Sequence, residues 1–163
     1  MANNLFLSIP GLTDEKGAPQ PGTVLVDSVP CLRISDFSFG VATAGVTAAG
    51  GPGKAEFSPL TAALPVDSCT PLFLKACAQG THFATASVIV QTGGAGPTVT
   101  TEKYDLKAVA VRSLSVAGSP GGDQQSISLG YGALNITFTP LTAQGKGGTP
   151  STGGFDIVTN TAS

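Results

Sequence analysis

The chain has 163 residues and a formal charge of −2, with only 11% of its residues charged against 41% hydrophobic. That length predicts one domain over 1–163 with a core of its own, and the scattered basic residues, from Lys16 to Lys146, offer nucleic acid no footprint. Charged residues make up about 25% of an average soluble domain, so this chain has little charge to solvate its outside, and covering that outside with other protein is the simplest remedy.

In chain order, Leu5 to Ile9 reads as a short apolar strand ended by Pro10-Gly11, and a polar loop follows. Val24 to Val26 and Cys31 to Ile34 are modest strands. Phe37-Ser38-Phe39-Gly40-Val41 alternates as a half-buried strand does. From Ala42 to Gly53 the residues are almost all Ala, Thr and Gly, which predicts a long exposed loop. Ala55 to Leu60 returns as a strand.

Val66 to Gly80 is the one helix. Asp67-Ser68 offers capping oxygens, Pro71 falls in the first turn, and Gly80 supplies a left-handed stop. Cys69, Leu72, Phe73, Ala76 and Cys77 recur at three- and four-residue spacing and form an apolar packing face, with Lys75 and Gln79 pointing away. Cys69 and Cys77 lie about 12 Å apart along the helix axis and cannot bridge there. With Cys31 they read as small buried apolar residues.

After the helix, Phe83 to Gln91 alternates again. Val99 to Val116 is strand-rich with a parity change that predicts a bulge or corner near Ala108, and Ser126 to Thr139 changes parity at Gly132-Ala133, which predicts a bulge there. A glycine-rich loop from Gly145 to Gly154 leads to a last strand, Phe155 to Val158. The fold class is mainly β: a small β-barrel of two packed sheets with corner bulges, plus one helix, with a sandwich as the alternative.

Motifs that carry chemistry fail residue by residue. Gly53-Lys54 resembles the end of a phosphate loop, yet Ala48 stands where its leading glycine belongs and Ala55 where its hydroxyl belongs. His82 is the only histidine, which excludes histidine-paired metal sites, and a structural hydrogen bond to a backbone carbonyl is the expected role. The carboxylate pairs Asp14-Glu15 and Glu102/Asp105 sit beside lysines and read as solvated surface. No catalytic, cofactor or metal residues are expected. Apolar runs all stop short of the about 18 residues of a membrane helix, and Met1 to Leu7 lacks the pattern of a cleavable signal. The expected localisation is cytoplasmic on synthesis, with any export independent of a cleavable signal.

The ordered series Leu5-Phe6-Leu7-Ser8-Ile9, Phe37-Ser38-Phe39-Gly40, Gly53-Lys54, Asp67-Ser68-x-x-Pro71-Leu72, Ala76-Cys77 and Gly80-x-His82-Phe83 resembles the haemolysin-coregulated protein (Hcp) family of bacterial type VI secretion systems. Tyr104-Asp105-Leu106-Lys107, Val109-x-Val111-x-Ser113, Ser119-Pro-Gly-Gly-Asp123, Leu129 through Phe138 and Phe155-Asp156-Ile157 continue the resemblance to the end of the chain. It implies a β-barrel protomer that forms homohexameric rings, stacked into an exported tube that carries or chaperones effector proteins in its lumen. The implied partners are further copies of itself, the sheath and spike proteins of the machine, and effectors, with neither nucleic acid nor membrane insertion. Val41, Gly45, Gly50, Gly51 and Gly53 fall where the family's ring-stacking loop lies. A tail-tube protein of another contractile, phage-like device is the alternative, and a monomeric glycan-binding β-domain is a third reading, although the chain has no Trp and two Tyr for a sugar platform.

Overall fold

The structure, a computed structural model, describes residues 2–12, 14–15, 18–19, 23–43, 54–93 and 98–163. Its strands are β1 (Ala2–Ser8), β2 (Asp14–Glu15), β3 (Ala18–Pro19), β4 (Thr23–Val26), β5 (Val29–Ile34), β6 (Asp36–Ser38), β7 (Val41–Thr43), β8 (Ala55–Phe57) and β9 (Leu60–Pro65). Helix α1 (Thr70–Gln79) follows, then β10 (His82–Gly93), β11 (Val99–Ser119), β12 (Gly122–Gly130), β13 (Ala133–Phe138), β14 (Ser151–Asp156) and β15 (Thr161–Ala162). The mainly β class with one helix is borne out.

The architecture is a wrap of antiparallel strands. One run follows the order β4-β5-β1-β10-β11-β13-β14-β15, and the distal half of β11 pairs instead with β12, which pairs with β9, which pairs with β6. The wrap returns to its start through the chain, because β5 and β6 are joined only by Ser35, whose amide donates to the carbonyl of Ala63 (2.7 Å). The sheets therefore surround a core without closing into an uninterrupted barrel ladder. β7 and β8 form a separate two-stranded hairpin, as do β2 and β3.

The corners differ in detail from those read in the sequence. Ala108 has φ +53°, a left-handed turn inside β11 that reverses which side chains face inward. The register slip against β12 comes four residues later, between Val111 and Ser113, so Arg112 is the extra residue. No bulge forms at Gly132-Ala133. Gly130 pairs with Ala110 and Ala133 with Lys107, so β12 and β13 are collinear segments in one register, separated by Tyr131-Gly132. The partner strand takes up the bend, and a Cβ on Gly132 would lie 3.2 Å from that of Ala108.

Two expected strands also divide. Phe37 to Val41 splits into β6 and β7, and Ala55 to Leu60 splits into β8 and β9. Ser58 is the cause: its hydroxyl accepts from the Gly40 amide (2.7 Å) and donates to the Gly40 carbonyl (3.2 Å), while its own amide donates to that carbonyl (2.9 Å). This clasp turns both chains off the core sheet, and Pro59 has no amide with which to continue the ladder. The segment expected as a loop from Ala42 is thus paired at its base, Val41 opposite Phe57 and Thr43 opposite Ala55.

The helix is shorter than the 66–80 read from sequence. Cys69 is its N-cap residue, in a helical conformation and without a side-chain cap bond. Asp67 acts one step earlier: its Oδ1 accepts from the Cys69 amide (2.9 Å) and its amide donates to Thr70 Oγ1 (3.1 Å). At the far end Gly80 is left-handed (φ 64°, ψ 35°), and the amides of Gly80 and Thr81 reach the carbonyls of Cys77 and Ala76, a Schellman stop.

The main core lies inside the wrap and includes Leu7, Leu32, Leu60, Leu64, Val88, Leu106, Val109, Ile127 and Leu129. Cys69, Phe73 and Ala76 are buried in it, and Leu72 and Cys77 are partly buried against it. A second, smaller cluster of Phe6, Val26, Cys31 and Ile89 occupies the opposite face of β1, β5 and β10. Arg33 lies over the Phe6 ring, 5.5 Å from its centroid. Val88, Ile89 and Val90 are consecutively buried for that reason.

Candidate functional site

Among the described residues, titratable groups meet only in pairs such as Lys103 with Asp105 and Tyr104 with Glu102. His82 begins β10 with an exposed side chain, and it makes no side-chain hydrogen bond among the described residues, contrary to its expected structural role. Among the described residues no three His, Cys, Asp or Glu are grouped to hold a metal ion. Burial pushes the Cys31 and Cys69 thiols up to about 11, so both are protonated and unreactive at neutral pH. Burial and the adjacent Glu102, whose carboxylate accepts from the phenol (2.8 Å), push Tyr104 up to about 12. That phenol is a fixed donor. It cannot serve as a base.

The concentrated surface feature is apolar, at the base of the β7–β8 hairpin. Phe57 stacks on Phe155 (centroids 5.4 Å apart, planes 28° apart) and meets Tyr131 edge-on at 6.2 Å. Phe37 and Phe39 both meet Tyr104 edge-on, at 5.0 and 5.6 Å. Between these groups lies a groove of about 220 Å³ walled by Phe39, Val41, Phe57, Leu134, Ile136 and Phe155, with Gly153 and Gly154 as its floor. The floor is bare because two glycines follow one another on β14, and a Cβ on Gly154 would come within 3.0 Å of the Leu134 carbonyl. Val41 is 56% exposed at the rim and Phe138 48% exposed nearby on β13.

Of the residues assigned to ring stacking, Val41 alone is described; Gly45, Gly50, Gly51 and Gly53 lie outside the described residues. The helix face of Cys69, Leu72, Phe73, Ala76 and Cys77 lies against β11 and the core. Nothing local in the sequence marks Phe57, Phe155 or Arg112 as surface-site residues. Phe155 is separated from Phe57 by most of the chain, so only the aromatic residue types hinted at a cluster.

Polar groups reinforce the hairpin base. Tyr131 donates to the Ser58 carbonyl (2.9 Å), so both faces of Ser58 are engaged. What this surface can do chemically is bury: it offers flat apolar area and a free stretch of the β14 edge at Ser151 to Gly153, since β15 pairs only with Phe155 and Asp156.

Comparison with known proteins gives a consistent picture. The family described as "Type VI secretion system effector, Hcp" matches residues 31–138. Protein hcp1 of Pseudomonas aeruginosa strain PAO1 is 31% identical over 98 residues, a match that covers 58% of this chain and 60% of that protein. Among solved structures, one titled "Structure of a type six secretion system protein" is 22% identical with a TM-score of 0.82, covering 99% of this chain and all of the other. Hcp1 from Salmonella typhimurium is 20% identical with a TM-score of 0.77, covering both chains fully. A type VI secretion system effector from Yersinia pestis is 14% identical at 0.71, covering 94% of this chain and 99% of its own.

Proposed function

We propose, from the premise that this chain belongs to the Hcp family of type VI secretion proteins, that it is a non-catalytic tube component whose copies close into hexameric rings. The rings stack into a tube that is exported and carries effector proteins in its lumen, with sheath and spike proteins as machine partners. The observation that carries this reading is the aromatic groove at the hairpin base, which leaves Val41 and the β14 edge exposed on a chain with few surface charges. A head-to-tail interface of that kind closes into a ring when its rotation closes.

The segment that includes Gly45, Gly50, Gly51 and Gly53 springs from the paired strands β7 and β8, and we assign it the contact between rings. Glycines there let backbone approach backbone closely. We assign the whole of 1–163 to one ring-forming unit that is exported with the tube. No helix is long and apolar enough to cross a membrane among the described residues.

Light scattering on the eluting protein tests the reading. Its expected mass is six times the 16.1 kDa protomer, or a multiple of that. A protomer mass at every concentration would overturn it in favour of the monomeric β-domain.

A further inference from the structure

We infer that Arg112 is an intersubunit anchor whose guanidinium takes a carboxylate from a second copy of this chain. The inference rests on the assembly reading and deepens it by naming one polar contact that the interface contains.

Arg112 is the residue inserted by the bulge in β11, and bulges re-aim a side chain out of the regular alternation. Here the side chain lies down across β12. A Cβ on Gly130 would collide with Arg112 Nε and would stand 3.1 and 3.3 Å from Cδ and Cγ, so the glycine is what admits the stem. The guanidinium is delivered to a cleft of about 150 Å³ walled by Phe57, Pro59, Tyr131 and Ile157, with Ser58 at its base. Tyr131 and the Ser58 carbonyl already satisfy each other.

No carboxylate lines that cleft. The single ion pair among the described residues is Lys103 with Asp105 at 3.4 Å, so Arg112 has no countercharge of its own among them. Asp36, Glu56 and Asp123 are meanwhile exposed and paired with no cation among them. An exposed planar fork at the wall of a cleft with both polar and apolar lining can take one carboxylate in bidentate geometry, and the chain itself supplies unpaired carboxylates. The cleft shares Phe57 with the aromatic groove, so the contact would be continuous with the apolar surface assigned to assembly.

The test uses the full chain and reads the concentration of half-assembly by light scattering in about 0.05 M and 0.5 M sodium chloride, across which charge screening strengthens severalfold. Arg112→Met keeps the stem over Gly130 and removes the charge. It is expected to raise the half-assembly concentration about tenfold or more, as loss of one partner of a desolvated charge pair does, and to lose the salt dependence of the native chain. Arg112→Lys, a point charge without the fork, is expected to fall between. Gly130→Ala retains the charge and displaces the stem, and it too should weaken assembly, which keeps the test open if Arg112→Met does not fold. Folded Arg112→Met or Gly130→Ala that assembles like the native chain at both salt concentrations overturns the anchor and leaves the assembly reading intact. A native chain that is monomeric throughout defeats the assembly reading first, and the anchor with it.

Discussion

Gly153 and Gly154 are neighbours on β14, yet a methyl group would meet different surroundings at each. Nothing lies within 4 Å of a Cβ on Gly153, whereas one on Gly154 would stand 2.7 Å from Ser163 Oγ, 2.8 Å from Asn135 Oδ1 and 3.0 Å from the Leu134 carbonyl. Gly154→Ala should therefore cost about 1–3 kcal/mol, the usual range for overpacking. Gly153→Ala should leave the denaturation midpoint within the native error, and equal effects of the two would refute the packing argument. Buried thiols give a second prediction at this scale. Cys31 and Cys69 ionise only near about 11, because burial disfavours the thiolate. Their folded values are raised, so the stability they contribute is complete below the ordinary thiol range and is lost as pH climbs toward about 11. A Cys31→Ala/Cys69→Ala chain should show a flatter fall in melting temperature between about pH 8.5 and 11; an identical slope would remove thiol ionisation as a cause. Under native conditions a thiol reagent should label the partly buried Cys77 ahead of the other two, and simultaneous labelling would contradict the burial order.

At the scale of elements, helix α1 is held by its buried stripe rather than by its N-cap residue, since the Cys69 side chain makes no cap bond. Phe73 is fully buried beside Cys69 and Ala76, and Phe73→Ala should cost about 3–5 kcal/mol by the transfer and cavity terms together. A loss under about 1 kcal/mol in a denaturant titration would mean the helix contributes little to the core. The helix was legible in the sequence because everything that makes it is local: the apolar spacing, Pro71 in the first turn and Gly80 at the stop. Its first turn was not, since Asp67 spends its carboxylate on the Cys69 amide just before the helix and so starts it later. Long-range causes were invisible in the same way. The Ser58–Gly40 clasp that divides two expected strands joins residues 18 apart, and nothing in either strand's alternation announces it. Parity changes near Ala108 and Gly132 were readable, but only the paired register shows that β11 absorbs both.

For the whole molecule, the low charge of the chain, its single apolar-faced helix and its many short strands together pointed to a wrapped β fold that uses its surface for association. Family membership and solved structures with TM-scores up to 0.82 among those compared agree with that fold. The candidate surface was less legible than the fold. Its clustered rings come from β6, β8, β11 and β14 and from Phe39 and Tyr131 in the links between strands, brought together by pairing between distant segments. Stacking should depend on the glycines between β7 and β8: bulky replacements at Gly51 and Gly53 are expected to leave ring mass unchanged and to shorten or abolish stacks. The most direct measurement is negative-stain imaging of the purified native chain. Six-fold rings with an open centre, together with side views of stacked rings at high concentration, are the predicted result; a field of separate protomer-sized particles at every concentration would contradict the account.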